Sequence, residues 1–88
     1  VNSYRIITTN RFLKRLKKLD PSIKERILNA VQEISERPRI GSTIIYNERN
    51  LYKYRVGDYR IIYEVDETAR HVLFIIVDHR SRVYRDLT

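Results

Sequence analysis

Cysteine, methionine and tryptophan are absent from this chain, and glycine and proline occur twice each. Without cysteine there is no disulfide framework and no thiolate metal ligand, and nothing asks for an oxidising compartment, so the cytoplasm is the expected setting. Long apolar runs are lacking too. The longest, Val72 to Val77, is too short to span a bilayer, and the N-terminal residues lack the apolar stretch of a signal peptide, so no membrane partner is expected. There is no His/Asp/Glu spacing of metal-site type, no Gly-rich phosphate loop and no Ser-centred elbow. Metal-dependent and nucleotide-hydrolysing enzymes are therefore disfavoured. Acidic residues are the minority, eleven against eighteen Lys and Arg, for a net charge of +7. Such an excess suits a protein that meets phosphate backbones or acidic partners.

What is present is one domain's worth of chain. With 88 residues, 42% of them hydrophobic and 33% charged, residues 1–88 are expected to fold as a single α+β domain around one core. A strand is expected at Tyr4 to Thr8, and Thr9 or Asn10 can cap a helix whose apolar positions Phe12, Leu13, Leu16 and Leu19 keep helical spacing. Asp20 and Pro21 suit the N-cap and first position of a second helix, striped with Ile23, Ile27, Ala30, Val31 and Ile34. It ends near Arg37, because Pro38 disfavours helical geometry in the residue before it. Beyond a loop containing Gly41 come three β-rich segments, Leu51 to Val56, Tyr59 to Val65 and Val72 to Asp78.

Gly57 and Asp58 suit a two-residue hairpin turn, which fixes a register. Val56 then pairs with Tyr59, Arg55 with Arg60, Tyr54 with Ile61, Lys53 with Ile62 and Tyr52 with Tyr63. One hairpin face carries Tyr52, Tyr54, Val56, Tyr59, Ile61, Tyr63 and Val65, a surface on which helices can pack. The other gathers Lys53, Arg55 and Arg60, with the two arginines directly opposed at a cost in stability. An anion held there would relieve it. The bland alternative is a solvated strand face with Glu64 as counter-charge. On the first helix, Arg11, Lys14, Arg15, Lys17 and Lys18 are more readily a wet face than a binding surface.

After the apolar third segment come Asp78, His79, Arg80, Ser81, Arg82, Val83 and Tyr84, polar groups brought to a sheet edge. His79 can exchange protons near neutral pH, Arg80 can bind a phosphate oxygen, and Tyr84 can stack on a base or donate its hydroxyl proton. A lone histidine beside an aspartate is more often structural, and His71 reads as incidental.

The element order, with Leu51 to Val65 (LYKYRVGDYRIIYEV) and Val77 to Tyr84 (VDHRSRVY), resembles the RelE/ParE superfamily of toxins from bacterial and archaeal toxin-antitoxin systems. The resemblance covers nearly the whole chain. Its most specific parts are the turn from Gly57 to Arg60 and the closing segment from His79 to Tyr84. It implies a RelE-like fold: an N-terminal strand and a two-helix hairpin packed on a small, mainly antiparallel twisted sheet with a short C-terminal tail. In that superfamily the RelE branch cleaves messenger RNA in the ribosomal A site, whereas the ParE branch inhibits DNA gyrase. Lys53, Arg55, Arg60, Arg80 and Tyr84 stand where the RelE-like site implies them, so the resemblance leans to the ribonuclease, with a gyrase inhibitor of the same fold or a non-catalytic RNA-binding domain as the alternatives.

The implied reaction needs neither metal nor other cofactor: the ribose 2′-hydroxyl attacks the adjacent phosphorus and the 5′-oxygen leaves. Arg60 and Arg80 suit phosphate clamping, since a guanidinium offers a planar fork of donors and keeps its charge. Lys53 is the base candidate, because Arg55 and Arg60 beside it disfavour a further positive charge. Tyr84 would stack on the substrate base or orient the attacking sugar. The best-known RelE pattern has a second lysine where this chain has Arg55, which can supply charge but not proton transfer. Lys53 or His79 must then take up that task. Ile44 to Asn50 also departs from the usual loop, leaving Glu48 a weak carboxylate candidate. The implied partners are a RelB-like antitoxin with an acidic wrapping segment, the ribosome and its messenger RNA, with DNA met only through the antitoxin.

Overall fold

In the computed structural model, which describes residues 3–87, the chain forms five strands and two α-helices. The outer ends of the expected 1–88 domain lie outside the described residues. Strand β1 (Arg5–Thr8) leads into α1 (Asn10–Lys17), and Thr9 is the cap, its hydroxyl accepting the Phe12 N–H at 3.0 Å. Helix α2 (Pro21–Glu36) begins with proline at its first position. Asp20 occupies the N-cap but makes no side-chain capping bond. Strands β2 (Ser42–Tyr46), β3 (Arg49–Val56), β4 (Tyr59–Asp66) and β5 (His71–His79) follow. The sheet order is β1-β5-β4-β3-β2, antiparallel except for β1, which runs parallel to β5. No described helix is long and apolar enough to cross a membrane.

The hairpin register is the expected one, pair for pair from Tyr52↔Tyr63 to Val56↔Tyr59. Gly57 takes φ 59° at its turn, a conformation that a Cβ would strain. Two features differ from the sequence reading. Four strands, not three, follow the helices, because Ser42 to Tyr46 pairs with β3 where a loop was expected. Neither strict alternation nor a glycine turn marks that strand. Its connection to β3 is Asn47–Glu48, both residues at positive φ (49° and 63°). A left-handed glutamate costs about 1–2 kcal/mol. Glu48→Gly is therefore expected to stabilise the fold by about 0.5–1 kcal/mol and raise Tm by roughly 4 °C. Calorimetry showing an unchanged or lower Tm would refute this account of the turn.

The core also differs, for there are two apolar clusters rather than one. Phe12, Ile27, Val31 and Ile34 from the helices pack on Ile61, Tyr63, Val72, Phe74 and Val77, with the hairpin tyrosines Tyr52, Tyr54 and Tyr59 around them. On the far side of the sheet Leu51, Ile62, Ile76 and Val83 are buried together, with Ile44, Tyr46, Ile75 and Leu87 at their margin. Val83 thus pins the C-terminal tail across the second face. A β-bulge links the two clusters: Ile62 pairs with Ile76 but Tyr63 with Phe74, which leaves Ile75 extra. Thr9 donates its hydroxyl to the carbonyl of that extra residue at 2.7 Å. Beyond the bulge the alternation of β5 is reversed, so Val77 and His79 join the helix side and Asp78 joins Arg60.

Candidate functional site

Strand alternation puts Lys53, Arg55 and Arg60 on the second face, the one the tail crosses. Arg55 lies directly opposite Arg60, Lys53 lies between Ser42 and Ile62, and Arg60 is next to Asp78. Rigid pairing on both sides of β3 and β4 holds these positions. Neither Lys53 nor Arg55 has an acidic partner among the described residues. Glu64, the counter-charge of the bland alternative, is engaged elsewhere, since Arg49 binds it at 3.0 Å and thereby keeps its own charge beyond the ordinary range.

The arginines gather at the Gly57–Asp58 turn. Arg60 donates from Nη1 to the carbonyls of Gly57 and Tyr59 at 3.0 and 2.9 Å, folding its guanidinium back on the turn. Arg80 reaches the same turn from the other side: its backbone N–H donates to the Asp58 carbonyl at 2.8 Å, and its Nε stands 3.8 Å from the Asp58 carboxylate. That ion pair is exposed on both sides and weak, so both guanidiniums are at hand for an incoming anion.

Asp78 and Arg82 complete the edge, and the sequence placed both in a polar stretch without giving either a task. Asp78 is fully buried, paired with Arg15 of α1 at 3.4 Å and Arg82 at 3.3 Å, and it accepts the His79 N–H at 2.7 Å. The four-residue spacing of Asp78 and Arg82 was the available signal. A buried carboxylate stays charged only with such partners, so Asp78 fixes the root of the C-terminal segment.

His79 stands apart from the lysine and arginines. It pairs with Tyr59 on the helix side, ring edge to face at 5.7 Å, and its Nδ1 accepts the Ser81 N–H at 3.2 Å. The Ser81 hydroxyl also lies 2.8 Å from Nδ1, so this side of the ring is turned to its own tail. Tyr84 follows the buried Val83 on the tail above the second face, 44% exposed. Glu48 lies at the tip of the β2–β3 turn, seven residues along β3 from Arg55, or roughly 23 Å at about 3.3 Å per residue. It is not near the arginines. His71 faces Asp66 at 3.6 Å, at the end of β5 remote from Arg80.

Seen as chemistry, the second face offers a primary amine and four guanidiniums over an apolar floor of Leu51, Ile62 and Ile76, rimmed by an exposed tyrosine. Such a surface can bracket a phosphodiester, hold charge that grows on it and stack a base beside it.

Comparison with known proteins agrees with this geometry. Residues 6–84 match the ParE toxins of type II toxin-antitoxin systems, parDE. Toxin RelG of Mycobacterium tuberculosis is 32% identical over 83 residues, which span 92% of this chain and 93% of the relative. The toxin-antitoxin complex RelBE2 from Mycobacterium tuberculosis contains a chain of the same fold, 28% identical with a TM-score of 0.80, over 90% of this chain and 100% of that one. The isolated E. coli RelE toxin is likewise 28% identical with a TM-score of 0.76, over 97% and 95% of the two chains.

Proposed function

Because the chain belongs to the ParE toxin family of type II toxin-antitoxin systems, we propose that it is the toxin of such a pair and acts as a metal-independent endoribonuclease on messenger RNA in the ribosomal A site. The observation that carries the reading is the opposed pair Arg55 and Arg60 beside Lys53, three cations held on one rigid face with no acid answering Lys53 or Arg55 among the described residues. Such an arrangement costs stability and is repaid only by a bound anion.

In the proposed reaction Lys53 takes the 2′-hydroxyl proton, and Arg55 supplies fixed positive charge beside it. The 2′-oxygen attacks phosphorus, and Arg60 and Arg80 hold the extra negative charge of the pentacoordinate phosphorane, with Arg82 at the edge. The 5′-oxygen leaves and takes a proton from water, and a 2′,3′-cyclic phosphate remains. Tyr84 stacks on the base or orients the sugar. His79, on the helix side, fits this scheme less well than Lys53. No step requires a cofactor.

The partner on this reading is a RelB-like antitoxin whose acidic segment covers the cationic face. The solved relatives include RelBE toxin-antitoxin complexes from Mycobacterium tuberculosis and E. coli. A second reading, a gyrase-directed toxin, is favoured by the family description itself.

One assay separates them. Ribosomes programmed with a defined A-site codon are incubated with the protein, and RNA ends are mapped by primer extension. Cuts within that codon are expected, and none where the nucleotide 5′ to the scissile phosphate is 2′-deoxy. An intact message, with gyrase supercoiling inhibited by the same preparation, would replace the ribonuclease with the second reading.

A further inference from the structure

Helix α1 and its C-cap residue Lys18 carry Arg11, Lys14, Arg15 and Lys18 at spacings of three, four and seven residues, which sets them on one helical stripe. Phe12 and Leu16 occupy the opposite stripe, packed into the core. These four cations alone line a surface depression of about 350 Å³. Like charges three and four residues apart destabilise a helix. The helix dipole explains cations in the last turn, but not Arg11 in the first. Lys14 and Lys18 are exposed and have no acidic partner among the described residues.

The stripe is not isolated from the site. Arg15 pairs with Oδ2 of Asp78 at 3.4 Å and Arg82 with Oδ1 at 3.3 Å, so one buried carboxylate ties the helix to the C-terminal cations. With β1 paired to β5 only as far as Phe74, the later part of β5 is open to α1 on that side. Positive charge is therefore continuous from α1 through Arg15 and Arg82 to the turn that holds Arg80 and Arg60.

We propose that the basic stripe of α1, joined to the cationic face through Asp78, is a second RNA-binding surface that grips phosphates flanking the codon presented to Lys53, Arg55 and Arg60. This rests on the ribonuclease reading and assigns α1 a part in it. A track of discrete cations spaced along a helix fits a polyanion with charges at regular intervals, and it reads no sequence. It would supply affinity and on-rate, while the sheet face supplies chemistry.

The test is the double variant Lys14→Gln/Lys18→Gln, whose changed side chains are exposed and whose loss relieves repulsion within the helix. The probe is a ribosome programmed with a message that is 2′-deoxy at the scissile position, so that binding is measured without cleavage. Loss of two phosphate contacts should weaken binding about tenfold and lower the slope of log Kd against log salt by about 1.4. Unchanged affinity and slope in the variant, while the wild type still cuts an all-ribose message, would overturn the α1 surface and leave the ribonuclease standing. No cutting by the wild type would instead remove the function on which the surface depends. Unchanged ribosome binding with weakened binding of poly-L-glutamate would assign the stripe to an acidic protein segment, and that also overturns it.

Discussion

Arg60→Ala is expected to lower the rate of messenger cleavage by about 10²- to 10³-fold while Tm stays level or rises slightly. The first half follows from the role of Arg60 in the proposed reaction, where a preorganised donor on the growing phosphorane charge is worth that much when removed. The second half follows from the fold. Arg60 bonds to the carbonyls of Gly57 and Tyr59 at the hairpin turn, exposed or half-buried contacts that water can replace. Against that small loss stands the relief of the Arg55–Arg60 opposition across the ladder. Arg60→Lys should recover part of the rate, since it restores the charge without the two-pronged fork. The measurement is single-turnover cleavage on programmed ribosomes beside thermal unfolding of the same samples. A drop in Tm of several degrees that parallels the loss of activity would make Arg60 a structural residue and sink its assignment to the phosphate.

The opposition of Arg55 and Arg60 is legible in the sequence because a glycine-led two-residue turn fixes hairpin register, and register decides every cross-strand pair. The two helices were legible for similar reasons, with Thr9, Pro21 and Pro38 marking their ends. What stayed hidden shares one physical cause. Val72 to Val77 is apolar at every position, so it carries no alternation from which a face can be read. The bulge at Ile75 therefore left no trace in sequence, and with it went the positions of Asp78 and His79 on opposite sides of the sheet. The second apolar cluster is hidden as well, since Ile62 shares the face of the cations, Ile76 lies in an unbroken apolar run and Val83 in a polar stretch. Strand β2 escaped notice because its turn uses Asn47 and Glu48 at positive φ instead of glycine. The basic stripe of α1 was plain, but its link to the site depends on the buried Asp78, which only the folded chain reveals.

Gly41→Ala should be strongly damaging although it adds only one methyl group, costing about 3 kcal/mol and lowering Tm by roughly 12–24 °C. The residue sits in ordinary extended backbone, so conformation is not the issue. Space is. A Cβ on Gly41 would come within 2.6 Å of the Lys53 carbonyl oxygen and 2.7 Å of the Tyr63 hydroxyl. The first is strand backbone and cannot swing aside. The second is a fully buried hydroxyl that donates to the Pro38 carbonyl at 2.8 Å and accepts the Gly41 N–H at 3.1 Å. Burial pushes that phenol up to about 12, so it stays a donor throughout the neutral range. Pushing it away would break both bonds and leave buried polar groups unpaired. Since Gly41 lies against the backbone of Lys53, the same strain would shift β3 and reduce cleavage in molecules that still fold. Tyr63→Phe separates the two clashes. It should cost about 1–2 kcal/mol alone, yet make a subsequent Gly41→Ala less damaging, because one of the two colliding oxygens is gone. Denaturant unfolding of the four proteins in this cycle reads the coupling directly. If Gly41→Ala cost under about 0.5 kcal/mol, in the range of an ordinary surface change, the close approach of the α2–β2 connection to Lys53 would be disproved.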